Sequence, residues 1–144
     1  MTIWMAPPTE RLKKWRKFRQ SIGNENLQTS LQELVDWFKT APLSSRVIDV
    51  YDSTHWPGPW DLLYVGDMDE NTISLAMGYS LQLAEVDCEI SLVQDREKSF
   101  LGLVVSVDKN WVLGYTYGNV EPISILDTCS IIERYDPKEL LKTG

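Results

Sequence analysis

The side chains in this chain that could carry covalent or acid–base chemistry are few: Cys88, Cys129, the single His55 and the acidic run Asp67, Asp69, Glu70. The stretch HWPGPWDLLYVGDMDENTISLA, residues 55–76, has the form of an approach to a reactive centre. Tryptophans and prolines lead into a Gly66-Asp67 turn, and the turn opens a helix. A helix N-terminus stabilises an anion and lowers the pKa of a thiol placed there. The residue in that place is Met68, whose thioether neither attacks nor gives up a proton. Asp67, Asp69 and Glu70 supply carboxylates for acid–base work, but acidic groups at a helix start also serve as caps. An atypical Cys88/His55 pair is the alternative centre. Against it, Asp87 and Glu89 flank Cys88 and hold a thiol in its protonated, unreactive form.

No metal or cofactor is expected. Two cysteines without metal-site spacing and one histidine do not make a zinc site, and both thiols read as buried and free. The segment DMDEN opens like a calcium loop, but Thr72 and Gly78 stand where that loop needs a glycine and a bidentate glutamate. Phosphate loops, nucleophile elbows and H-E-x-x-H pairs do not occur.

The elements that must position these residues follow from periodicity. The stretch from Pro7 to Gly23-Asn24 reads as a helix capped by Thr9, with Leu12, Trp15, Phe18, Arg19 and Ile22 as its inner stripe. A second helix is expected over 27–40, with Leu27, Leu31, Leu34, Val35 and Phe38 on one face and Pro42 as its stop. The piece RVIDVYD is β-prone, and Trp56 to Trp60 reads as a rigid turn pinned by its indoles. A central helix follows over 69–83, burying Ile73, Ala76, Met77, Ser80 and Leu81. Beyond Glu85 the period changes to that of strands: VDCEISLV, FLGLVVSV, WVLGYTYG after an Asp108-Lys109-Asn110 turn, and one or two more before a short terminal helix. Helices first and an antiparallel meander of four or five strands afterwards is an α+β order. At 144 residues the chain fits a single domain, with a helical part over 1–45 and an α+β part over 46–144.

The net charge of −7 is unevenly spread. Residues 1–22 sum to +5 through Arg11, Lys13, Lys14, Arg16, Lys17 and Arg19, and the remainder sums to −12. Phosphate contacts need a positive surface, so nucleic acid is excluded as a partner except through the first helix. No apolar run reaches the roughly 20 residues of a membrane helix. The first charges come after the few apolar residues at the start, the wrong order for a secretory leader. The expected location is intracellular, or a virion assembled inside a cell.

From Trp56 onward the order of features resembles the transglutaminase-like cysteine peptidases, a branch of the papain-like fold. Trp56, Pro59, Asp61 and Leu62 match the approach, Gly66-Asp67 the turn, and Ser74-Leu75-Ala76 the continuing helix. FLGLVVSVDKNWVLGYTYG looks like the strand of the catalytic His, a hairpin and the strand of the Asp. In that resemblance Met68 takes the place of the Cys, Phe100 or Leu101 that of the His, and Gly114 that of the Asp. Catalysis of this type needs a thiolate, its base and an orienting carboxylate, and none of the three is present at those positions.

The resemblance therefore implies a non-catalytic domain kept for its shape, a pseudoenzyme. Together with six tryptophans and a basic first helix, it points to a protein–protein interaction or structural component whose partners are other subunits of a larger assembly. A neck, tail or baseplate protein of a tailed-phage virion is the setting such a chain would suit. The interaction candidates are Arg11, Lys13, Lys14, Arg16, Lys17, Arg19, Trp56 and Trp60.

Overall fold

The computed structural model describes residues 3–44 and 47–143. It has five α-helices packed on a five-stranded antiparallel sheet: α1 (Pro8–Ser21), α2 (Leu27–Lys39), α3 (Pro59–Val65), α4 (Glu70–Leu83), β1 (Cys88–Asp95), β2 (Phe100–Val107), β3 (Trp111–Leu113), β4 (Val120–Pro122), β5 (Ser130–Tyr135) and α5 (Pro137–Thr143). The α+β order expected from the sequence is the order found.

α4 lies directly on β1 and β2 and is the axis of the molecule. Asp69 caps it, its carboxylate accepting from the Thr72 N–H at 2.7 Å. The expected inner set is buried, and so are Thr72, Ser74, Leu75, Gly78 and Tyr79. A helix buried on all sides has no polar face to reveal its orientation. Here α1, α2, α3 and α5 cover what the sheet leaves open.

The sheet departs from a meander. Its strand order is β4-β3-β2-β1-β5, so the last strand returns across the sheet to pair with β1. β1 and β2 pair along their full length, Cys88 opposite Val107 and Asp95 opposite Phe100. The Asp108-Lys109 turn has both residues at positive φ, 55° and 57°, and the Asn110 N–H donates to the Val107 carbonyl at 3.1 Å. That is the tight hairpin turn whose twist matches the strands it joins. β3 is much shorter than WVLGYTYG promised and ends at Leu113.

Three further local expectations are corrected. Thr9 does not cap α1; Pro8 occupies the first helical position, where a missing N–H is no loss. RVIDVYD is not a strand from Val47 onward, and its Arg46 lies outside the described residues. The segment after Gly58 is helical as α3, because Pro59 starts a helix as readily as it rigidifies a turn.

Candidate functional site at the start of the central helix

Met68 immediately precedes the cap of α4 and is 1% exposed. Its backbone is clasped on both sides: its N–H donates to the Pro42 carbonyl and its own carbonyl accepts from the Ser44 N–H, each at 3.0 Å. These bonds form a parallel bridge between Leu43 and Met68. The side chain belongs to the main core cluster together with Ile73 on the next turn. A residue just before the cap that packs with the fourth helical residue fixes the angle at which the chain enters the helix. Met68 is placed for that task.

The next two inward positions of α4 close the space toward the strands. Asn71 Oδ1 accepts from the Leu103 N–H at 3.0 Å, serving a β2 backbone group just beyond the reach of β3, whose pairing stops at Val105–Leu113. Ser74 lies against Gly114, so closely that a Cβ on that glycine would stand 2.2 Å from Ser74 Oγ. Gly114 also sits at φ +86°, a region that side chains with a Cβ rarely adopt. The Ser74 hydroxyl has no partner among the described residues. The hollow beside it, lined by Lys39, Glu70 and Tyr117 among others, measures about 20 Å3, the room of a single water.

Of the three positions aligned with a peptidase triad, Met68 and Gly114 both face α4 or its entry. Phe100 does not. Its ring packs 4.6 Å from that of Tyr115 in a second cluster with Val93, Val104 and Val112. In β2 the α4 side is taken by Leu103, Val105 and Val107. Strand alternation puts Leu101 on that side and Phe100 off it.

The alternative pair is not joined either. The His55 ring is 82% exposed and its Nδ1 lies 2.6 Å from Asp52 Oδ2. The Thr54 hydroxyl, and after it this imidazole, holds the Asp52 carboxyl below its usual range. Cys88 Sγ instead donates to the Gly78 carbonyl at 3.6 Å. Burial, then Asp136 and Asp87, pushes this thiol up to about 12. A thiol so placed is not a nucleophile at neutral pH. Both cysteines are free. Among the described residues no three His, Cys, Asp or Glu side chains converge on a point that could hold a metal.

The interaction candidates divide. Arg11 is buried, and its guanidinium donates to the carbonyls of Leu63, Tyr64, Trp4 and Ala6 at 2.8–3.2 Å. A cation on the last carbonyls of a helix is well placed against the helix dipole; Arg11 thus closes α3, and a Cβ on Gly66 would stand 2.6 Å from it. Arg19 lies 4.1 Å over the Trp15 ring, and partial burial followed by Arg16 lowers its pKa. Lys13, Lys14, Arg16 and Lys17 are exposed. Trp56 is 8% exposed and its indole N–H donates to the Asp49 carbonyl at 2.7 Å, so it is an anchor. Trp60 is 52% exposed.

Sequence reasoning did not single out Asp95, at the β1–β2 turn. Its buried carboxylate accepts from the hydroxyls of Thr128 at 2.7 Å and Tyr115 at 2.9 Å and from the N–H groups of Glu97 and Lys98. These bonds, that of Thr128 first, hold its carboxyl below the usual range. An aspartate between two strands reads as an ordinary turn residue, and its partners, the Cys129 thiol at 3.8 Å among them, lie up to 34 residues away.

No family model matches the sequence, and no curated protein matches it. Solved structures do. LapG of Legionella pneumophila in its calcium-bound form superposes with a TM-score of 0.72 over 92% of this chain and 77% of its own, at 12% identity. A second LapG structure gives the same figures, and an EGTA-treated one differs only in covering 75% of its own chain. At such identity the likeness is one of fold: the fold of this chain is similar to that of LapG, a transglutaminase-like cysteine protease fold.

Proposed function

We propose that this chain is a non-catalytic protein-interaction domain, a component of a larger protein assembly, built on a transglutaminase-like protease fold. The observation that carries this reading is the start of α4. On the alignment of Gly66-Asp67-Met68 with the nucleophile turn, a thioether 1% exposed stands at the nucleophile position, with its backbone clasped by Pro42 and Ser44. The carboxylate position is a glycine whose side-chain space is filled by Ser74. The two cysteines stand elsewhere, each with its thiol pushed up chiefly by burial. A virion setting has no residue of the structure behind it and is not part of the proposal.

The test is hydrolysis of labelled casein, beside labelling by iodoacetamide at neutral pH. The expected result is no turnover and slow labelling at both Cys88 and Cys129. Turnover abolished by Cys88→Ser or His55→Ala would establish the atypical enzyme instead. Light scattering of the untagged protein from its own source, with mass spectrometry of co-purifying chains, tests the assembly. A defined particle with reproducible partners is expected; a lone monomer overturns that part.

A further inference from the structure

A surface helix of a soluble domain turns apolar residues to the core and polar ones to water. α3 does the first and not the second. Its inner side, Pro59, Leu62 and Leu63, is buried. Its outer side is Trp60, Asp61, Tyr64 and Val65, with the three apolar members 52%, 55% and 52% exposed. Asp61 sits between two hollows. One, of about 230 Å3, has walls of Val47, Ile48, Pro57, Leu62 and Val65. The other, of about 170 Å3, is framed by Gly58, Pro59, Trp60 and Leu141. Each is smaller than the roughly 300–1,000 Å3 of small-molecule sites, a size that suits single side chains of a protein segment.

The charged side chains that line the two hollows are acidic: Asp61 lines both, and Asp67 lines the larger. Asp67, in the larger hollow, already has a partner, so Asp61 is the carboxylate that meets an incoming cation. The exposed Trp60 ring beside it offers a second attraction for the same charge.

We propose that the outer face of α3 docks a segment of a partner protein in which apolar side chains flank a Lys or Arg. The apolar side chains enter the two hollows and the cation lies at Asp61 against Trp60. This rests on the interaction-domain reading above and names its surface and the chemistry of its partner.

The probe is a short fluorescein-labelled peptide of alternating Leu and Lys, compared with Leu-Glu and Ser-Lys peptides of equal length. Wild type is expected to bind the Leu-Lys peptide best, with amide NMR shifts centred on residues 58–65. Asp61→Lys is expected to weaken binding about tenfold, the scale of reversing one rim charge. Glu133→Lys, which changes net charge equally on β5, is expected to change it far less. Tyr64→Ser weakens binding while leaving the far-UV spectrum and Tm unchanged. Equal effects of Asp61→Lys and Glu133→Lys overturn the proposal, as do shifts centred on the hollow near Glu89 and Arg134. A concentration-dependent dimer abolished by Tyr64→Ser overturns it in favour of a second copy of this chain. Mass spectrometry of the bound peptide separates the two readings. An intact peptide leaves both standing; a cleaved one sinks the non-catalytic reading while leaving the docking face in place.

Discussion

The first turns of α4 and the outer face of α3 adjoin in the chain, and each is the reverse of what its position suggests. The start of the buried helix is where the sequence resemblance aligns a nucleophile, and chemistry there would need an open, polar space. Here it is filled by Met68, Asn71 and Ser74 and closed against Gly114. The outer face of a surface helix is where polar side chains are ordinary. Here it presents Trp60, Tyr64 and Val65. Burial follows the neighbours an element meets, and the two regions meet different ones: α4 is covered on every side, while α3 is covered on one.

This contrast can be broken most sharply at Gly114. Gly114→Asp, which would put a carboxylate where the sequence resemblance aligns one, must place a Cβ 2.2 Å from Ser74 Oγ at φ +86°. Backbone strain of about 1–3 kcal/mol and overpacking of about 1–3 kcal/mol predict a loss of roughly 2–6 kcal/mol in urea unfolding. Adding Ser74→Gly recovers only part of the packing loss, since the Leu103 carbonyl would still stand 3.2 Å from the new Cβ. Unchanged stability in the single variant would mean that the junction is open after all.

Arg11 links the two regions, because its guanidinium closes α3 just before the Gly66 turn into α4. Arg11→Met leaves buried carbonyls without donors and is expected to cost about 3 kcal/mol. Arg11→Lys recovers little of this, since an ammonium cannot reproduce the planar fork.

Asp95 provides a control on the far face of the sheet. Its folded pKa is depressed, so the stability it contributes is fully present above the usual carboxylate range, about pH 4. That stability is lost as pH falls through the folded value. Asp95→Asn should therefore lower Tm at neutral pH, and the gap from wild type should close on acidification. A gap independent of pH would assign the hydrogen-bonded cluster to shape and not to charge.

The smallest effect is expected on α3. Tyr64→Ser and Val65→Ser are each expected to change the stability of the isolated chain by no more than about 0.5 kcal/mol, because these side chains are largely exposed before anything docks. A loss of several kcal/mol would show that the face belongs to the core and would end the contrast.

Much of this arrangement is legible in the sequence. The 3.6-residue stripe of α2, the acidic cap of α4, the change to alternation beyond Glu85 and the Asp108-Lys109 turn are local patterns, and local sterics and hydrogen bonding enforce them. The order of features from Trp56 to Gly118 is enough to suggest the fold that the likeness to LapG bears out. The same local view offered Arg11 as an interaction residue, while Trp56, offered as one too, is the indole anchor that the rigid-turn reading expected. A basic side chain one turn into a helix looks solvent-bound until the carbonyl end of α3, more than fifty residues later, is brought against it.

By itself, then, the sequence determined α1, α2, α4 and α5, the change to strands beyond Glu85, the charge asymmetry and the inability of residue 68 to act as a thiolate or a proton carrier, since a thioether has no acidic hydrogen. Tertiary structure alone decided the return of β5 to the side of β1, the meeting of Ser74 with Gly114 and the hydrogen bond of Cys88 to the Gly78 carbonyl. It also decided which of the six tryptophans stays exposed, for only Trp60 does. Contacts between distant residues depend on how whole elements pack, and packing free energy is shared among many side chains with no local signature of its own.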